Sequence, residues 1–387
     1  MTMTTGTDRL RLDRMARDRS RRDPTAPWRH VDPVLVVCTV AVAVLGLVMV
    51  FSATRGTGAE ANVSFVRKQG FFVLLGFAAM AVTTLVDYRR FQHYAVVLYG
   101  GACLLLLLVI SPLGKSSKGT QAWFSLGPLE LQPSEFSKLC LIVGLAALMA
   151  MWRGRYNAGR IALALVVAGI PMALIMKQPD LGTALVYIAI VVAMLLVGGV
   201  RALHMVLLVV AGVLLVTGVV RSDVLKDYQK NRLAVFLDPE QNKSAEGYNL
   251  NQSMIALSGG GLTGDGLFQG QQTQLSYVPE QQTDFIFTVV GEELGFLGSA
   301  TFLTLMGVIV WRIWRTAARS RDLFGRLVCG GVLAMVVFQV FESVGMTAGI
   351  MPVTGIPLPL MSYGGSTTLS TFLAIGLVLN VHMRRLR

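Results

Sequence analysis

The stretch PVLVVCTVAVAVLGLVMVFSA, Pro33 to Ala53, runs for 21 residues without a charge. As a helix rising 1.5 Å per residue it covers the hydrocarbon core of a bilayer, about 30 Å. It is apolar on every face, which suits lipid or a buried bundle rather than a soluble surface. A long polar stretch precedes it and no small-residue cleavage pattern follows Ser52, so it is not expected to be a cleaved leader. Working outward, similar runs recur at 70–87, 94–111, 135–152, 160–176, 181–199, 202–220, 285–311, 327–349 and 364–382. Ten transmembrane helices in an all-α integral membrane protein are the expectation.

Composition agrees. The chain has 387 residues, 53% hydrophobic and 14% charged, against roughly 25% charged in soluble proteins. This excludes a disordered chain and argues against a soluble one. Lys and Arg exceed Asp and Glu by 12, yet the basic residues stand in short clusters between apolar runs, so no nucleic acid is expected as partner. Cys38, Cys103, Cys140 and Cys329 all fall inside apolar stretches and read as small core residues rather than disulfides.

Short cytosolic loops of membrane proteins are enriched in Lys and Arg. Arg89 and Arg90, then Arg153, Arg155 and Arg160, then Arg201, then Arg312, Arg315, Arg319, Arg321 and Arg326, and finally Arg384, Arg385 and Arg387 mark every second connection as basic. That alternation puts both termini in the cytoplasm. Residues 1–30, with Arg9, Arg11, Arg14, Arg17, Arg19, Arg21, Arg22 and Arg29, are expected to be a disordered basic tail near anionic lipid. Residues 31–387 form one polytopic domain, whose longest outer connection is 221–284. No internal repeat is visible, which weighs against a carrier built of inverted halves.

Chemistry gathers in the outer connections. In QPSEFSK, Ser134 is expected to cap a helix with Glu135 in its first turn. Glu135 and Lys138 share a face and can simply pair; Trp123, upstream, can be an interfacial aromatic. In KQPDLGTA, Asp180 can be a helix cap, or can line an outward cavity with Lys177, Glu135 and Lys138. The run SGGGLTGDG, Ser258 to Gly266, lacks the Gly-Lys-Ser/Thr of a phosphate loop; its glycines would let backbone approach an extended ligand. VPEQQTDFIFTVVGEELGF sets Thr283 and Asp284 at the start of a helix, where Asp284 can be simply an N-cap or a first-turn acid. Glu292 and Glu293 inside that span need polar partners and read first as supports for the outer loops. In MPVTGIPLPLMSYGGST, Pro352, Pro357 and Pro359 supply no helix donors, and Gly364 and Gly365 permit close turns; this loop should shield a cavity mouth.

QPSEFSK, KQPDLGTA, the stretch from GYNLNQS to TDFIF and EELG, and PVTGIPLPLMSYGGS, in this order, resemble the SEDS family of bacterial cell-wall polymerases, the RodA/FtsW type, over nearly everything after residue 30. The resemblance implies a ten-helix bundle in the bacterial plasma membrane that polymerises lipid II, an undecaprenyl-pyrophosphate-linked disaccharide pentapeptide, into glycan strands. It implies that Asp284 is the essential acid. Trp123, Glu135, Lys138 and Asp180 match the family's positions for the outer-loop Trp, for the acid and base after Gln-Pro-Ser, and for the Asp of Gln-Pro-Asp. It also implies a class B penicillin-binding protein as partner, with other elongation or division proteins. The chain departs at Ala122, Gln282 and Ser343, where Arg, His and Asn are usual, and Glu342 is an unusual acid beside the last.

The expected chemistry is displacement at an anomeric carbon, with Asp284 as general base on a sugar hydroxyl. Lys138 is the first choice to offset the departing pyrophosphate, with Lys177, Arg67 and Lys68 behind it, or a divalent cation such as Mg²⁺ or Mn²⁺. The wording of KQPDLGTA and GQQTQLSYVPEQQTDFIF favours the elongation branch over the septal one. A lipid II flippase and a non-catalytic scaffold are the rival readings.

Overall fold

The computed structural model describes residues 30–55, 59–117, 120–127, 129–221 and 245–385. The expectations for residues 1–29, for 222–244 of the long connection and for Arg387 lie outside these. Thirteen helices are named here in chain order. They are α1 (Pro33–Ala53), α2 (Ala59–Leu85), α3 (Tyr88–His93), α4 (Ala95–Ile110), α5 (Pro133–Met151), α6 (Ala158–Lys177), α7 (Leu181–Gly198), α8 (Ala202–Arg221), α9 (Ala245–Gly259), α10 (Gln271–Gln274), α11 (Ile286–Arg319), α12 (Leu323–Thr347) and α13 (Gly365–Arg384).

Eight of these, α1, α2, α5, α6, α7, α11, α12 and α13, are long and apolar enough to cross a bilayer, and α4 and α8 contribute two shorter apolar stretches, Ala95–Ile110 and Ala202–Leu214. The fold is therefore mostly helical, but not all-α as expected. The connection after α4 folds into a three-stranded antiparallel sheet of β1 (Lys115–Ser117), β2 (Thr120–Leu126) and β3 (Leu129–Leu131). Trp123 pairs with Lys115 across β1 and β2, and Ser125 with Glu130 across β2 and β3. The alternating, β-prone TQAWFSL forms β2, which at seven residues is too short to stand out from the apolar runs around it.

Helix starts follow local chemistry. Asp32 caps α1 by accepting from Leu35 N at 3.2 Å, with Pro33 at the first helical position. Asn157, Asp180 and Asp322 do the same for α6, α7 and α12. Ser134 does not cap α5: Gln132 occupies the cap, Pro133 opens the helix, and Ser134 lies inside it. The rigid φ of Pro133 decides this, since proline is tolerated only where an amide donor is not needed. Likewise α2 begins at Ala59 rather than at residue 70, so Arg67 and Lys68 stand on helical turns above the apolar run.

α13 is the central helix, with 89% of its apolar window buried. It packs against α2, α12 and α5. At the end carrying the basic loops, the buried Asp32 carboxylate meets the Arg312 guanidinium at 2.6 Å, tying α1 to α11. All four cysteines are free, as expected.

At its other end α11 is broken. Gly295 has φ 62 and ψ −158 inside the helix, and the glycine run docks into this break. Asp265 N and Gly266 N donate to the Glu292 and Glu293 carbonyls at 3.0 and 3.1 Å, and Phe296 N and Leu297 N donate to the Gly261 and Leu262 carbonyls at 2.9 and 3.1 Å. Backbone freed by the kink is thus paired with backbone of the loop. A β-carbon at Gly260 would lie 2.0 Å from the Gly291 oxygen, and one at Gly264 2.2 Å from that of Glu293. The glycines therefore admit α11, not the extended ligand expected.

Replacing Gly264, at φ +80 and in backbone contact, should cost more than replacing Gly261, at φ +52 with open space beside it. Both substitutions bear the left-handed penalty of about 1–2 kcal/mol, but Gly264→Ala adds an overpacking loss of about 1–3 kcal/mol. Melting temperatures of the two purified variants in detergent check the difference; equal values would reject the steric account.

Candidate active site

A cavity of about 700 Å³ opens where α5 and α7 begin, bounded by the outer turns of α2, the small sheet, the segment before α11 and the loop before α13. Its floor is built on α5. The first turn carries Glu135, and one turn on Lys138 reaches back so that its Nζ lies 2.7 Å from Glu135 Oε1. The two side chains are 4% and 1% exposed. A buried pair of this kind persists only when its remaining donors and acceptors are satisfied. Ser370 of α13 gives Glu135 Oε2 a hydrogen bond at 3.0 Å.

Asp180 combines the cap with part of the cavity reading, without Lys177. It caps α7, accepting from Thr183 N at 2.9 Å and Thr183 Oγ1 at 2.7 Å, and it lines the cavity beside Glu135 and Lys138. Gln132 Nε2 approaches its second oxygen at 3.4 Å. Burial pushes the Asp180 carboxyl up from its ordinary value, while the Thr183 bonds and the Lys138 charge work against that rise.

Asp284 stands two residues before α11, whose cap is Phe285 with no side-chain cap bond. The half-buried carboxylate lines the cavity instead of closing the helix end. Gly355 faces it: a β-carbon there would lie 3.2 Å from Asp284 Oδ2, and Gly355 has φ +74. The loop that presents Gly355 is held by Thr354, whose Oγ1 donates to the fully buried Glu342 at 2.9 Å.

Of the other expected residues, Trp123, Lys68, Pro357, Gly364 and Gly365 also line the cavity. Gly365 is required because a β-carbon would strike the Phe72 ring at 2.3 Å. Lys177 and Arg67 are exposed and lie outside the lining. Lys177 ends α6, so the turn through Pro179 aims Asp180 at the cavity and leaves the lysine outside it. Glu292 and Glu293 reach polar groups of neighbouring elements. Glu292 accepts from Gln272 N at 2.6 Å, Thr273 N at 3.1 Å and Thr273 Oγ1 at 2.7 Å, pinning α10. Glu293 accepts from Ser52 Oγ of α1.

Polar residues in and behind the wall also escaped the sequence reading. Buried Gln69 donates to Ser362 O and Thr368 Oγ1, both at 3.2 Å, and accepts from Gly364 N at 3.2 Å. Gln132 N accepts no proton but donates its own to Ser366 Oγ at 2.9 Å. A lone Gln at the edge of an apolar run was the available signal for Gln69. Among the described residues no three His, Cys, Asp or Glu side chains are grouped to hold a metal ion. The buried fixed cation of the site is Lys138.

The FtsW/RodA/SpoVE family of cell cycle proteins matches residues 33–386. The chain is 34% identical to the probable peptidoglycan glycosyltransferase FtsW of Geobacter metallireducens, over 91% of this chain and 95% of that one. It is 32% identical to the peptidoglycan glycosyltransferase MrdB of Escherichia coli, over 92% and 94%. A solved peptidoglycan synthase complex, described as coordinating polymerization and crosslinking, contains a chain of TM-score 0.78 and 34% identity, covering 92% of this chain and 98% of that chain. The rod shape determining protein RodA of Thermus thermophilus matches at TM-score 0.69 and 30% identity, covering 92% and 98%. A helical bundle with a charged outer cavity, matched along nearly its whole length, thus belongs to the FtsW/RodA/SpoVE family of multi-pass bacterial membrane proteins.

Proposed function

We propose that this chain is a peptidoglycan glycosyltransferase that polymerises lipid II, with Asp284 as the general base. The observation that carries the assignment of Asp284 is its carboxylate in the wall of a 700 Å³ cavity that also holds Lys138. A sugar hydroxyl is a poor nucleophile until its proton begins to leave. Asp284 takes that proton from the GlcNAc 4-hydroxyl of the acceptor as the new oxygen–carbon bond forms and the bond from the anomeric carbon to pyrophosphate breaks. One displacement with no enzyme nucleophile inverts an α-linked donor to a β-linked product.

Departure of pyrophosphate concentrates negative charge, and Lys138 supplies the fixed opposite charge, preoriented by Glu135. Lys68, exposed at the cavity wall, offers a second cation for the approaching substrate. Exposed Phe71, Leu74 and Leu75 continue down α2 from Lys68 and provide an apolar track for a prenyl tail. Trp123 and Asp180 complete the substrate wall. Should a divalent cation take part, one or two of these carboxylates with the substrate phosphates would hold it.

The ten-span reading rests on α4 and α8 crossing alongside the eight longer helices, with both termini on the basic, cytoplasmic side. α8, at 20 residues, is about 30 Å long, and α4, at 16 residues, about 24 Å. A class B penicillin-binding protein is the proposed partner, because glycan strands need a separate transpeptidase and a similar solved chain sits in a complex that polymerises and crosslinks. The wording of KQPDLGTA favours elongation over septation. A flippase would need charges along the whole depth of the bundle, whereas the cavity's charged residues gather at one end.

Purified Asp284→Ala and Asp284→Asn proteins should lose lipid II polymerisation by about 10²–10⁴-fold with unchanged melting; wild-type rates would reject the base assignment. Lys138→Ala should destabilise by about 3–5 kcal/mol by stranding Glu135. The double variant Glu135→Leu with Lys138→Met should recover most of that stability yet remain inactive. Activity in the melted-free double variant would make the pair purely structural.

A further inference from the structure

A second cavity, of about 410 Å³, lies between the turn that joins α5 to α6 and the turn that joins α7 to α8. α5 and α7 both begin in the walls of the outer cavity and both end here. The 19 residues of α5 put about 28 Å, close to one hydrocarbon thickness, between the two sites. Arg155, Arg160 and Arg201 line it with Tyr156, Asn157 and Gly199.

Three guanidiniums converge on this space with no acid in its lining. Among the described residues none of the three meets a carboxylate, whereas Arg312 and Arg384 at the same end of the bundle are paired with Asp32 and Asp87. Arg160 Nη1 is braced by the Arg155 carbonyl at 2.5 Å. Asn157 caps α6, so the positive end of a 20-residue helix faces the same space. The Tyr156 hydroxyl is buried in the wall against Gly198 and has no acceptor among the described residues. Three arginines that meet no carboxylate among the described residues and a helix N-terminus together call for an anion with several oxygens.

The neighbouring surfaces say where that anion comes from. Immediately beyond Arg160, α6 exposes Leu163, Val166 and Ile170; immediately beyond Arg201, α8 exposes Leu203, Val206 and Leu207. An oxyanion seated on the arginines would have apolar helix faces leading away from it into the bilayer. We infer that this cavity binds the phosphate of an anionic glycerophospholipid headgroup in the leaflet opposite the outer cavity, with the acyl chains lying along α6 and α8. Arginine forks suit phosphate oxygens, and basic pockets between membrane helices are a general means of holding such headgroups.

The test is native mass spectrometry of the full chain taken from nanodiscs of phosphatidylglycerol or phosphatidylcholine, with an inorganic phosphate titration in parallel. Wild type should retain phosphatidylglycerol in preference to phosphatidylcholine, and R155Q/R160Q/R201Q should weaken that retention about tenfold or more. R319Q/R321Q/R326Q, which removes three exposed arginines of another loop at the same end, should leave it unchanged. Should the first triple variant not fold, as judged by melting, R201Q alone is read against wild type. Equal loss in both triple variants would reduce the site to a general basic surface and overturn the inference. So would retention unaffected by the first triple variant or by R201Q, or displacement of the lipid by inorganic phosphate at matching affinity, which would make it a soluble-anion site.

Discussion

A carboxylate and an ammonium, 2.7 Å apart and shut away from water, set the position of everything around the outer cavity. Glu135 or Lys138 alone would be a costly charge in a bilayer-spanning bundle. Together, with Ser370 satisfying the second carboxylate oxygen, they join the start of α5 to central α13. Because α5 also contacts α7 and the sheet, fixing its first turn fixes the distance between Trp123 above and Asp180 beside it. Rigidity at this floor is what allows the opposite wall, which carries Asp284, to be a loop.

That wall is secured by a different device. α11 cannot run straight, because Gly295 breaks it, and the break exposes backbone donors and acceptors at membrane depth. Loop 260–266 pairs with them, and Glu292 and Glu293 reach outward from the same turn to hold α10 and α1. The start of α11, and so the Asp284 position, is consequently held by buried polar contacts on three sides. Gly355 then closes to within van der Waals reach of the carboxylate, on a loop moored to Glu342. The base role proposed for Asp284 depends on such restraint, since a small misplacement of a reacting group is costly.

The two ends of the bundle differ in their charge economy. In the first cavity charges of both signs stand together, and two pairs meet directly, Glu135 with Lys138 and Glu130 with Lys115. At the other end basic residues outnumber acids, and the ones that meet acids, Arg312 and Arg384, clamp helices to one another. The arginines of the smaller cavity meet none among the described residues. This asymmetry suits the reaction proposed for the first cavity and the lipid site proposed at the other end.

Composition and the length of uncharged runs were enough to establish a polytopic helical membrane protein, because lipid forces backbone hydrogen bonds to close within each segment. Pairing of Glu135 with Lys138, the capping role of Asp180 and the supporting role of Glu292 and Glu293 were likewise legible, since each follows from helical spacing or from the penalty on lone buried charge. The sheet at 115–131, the docking of the glycine run into the α11 break and the exclusion of Lys177 and Arg67 from the cavity were not. Those depend on which surfaces meet: a glycine next to a carbonyl about 30 positions along the chain, as Gly260 is to Gly291, looks in one dimension like any flexible residue. Local sequence specifies the helices and their ends, whereas only packing among distant segments decides which polar side chains share one hollow.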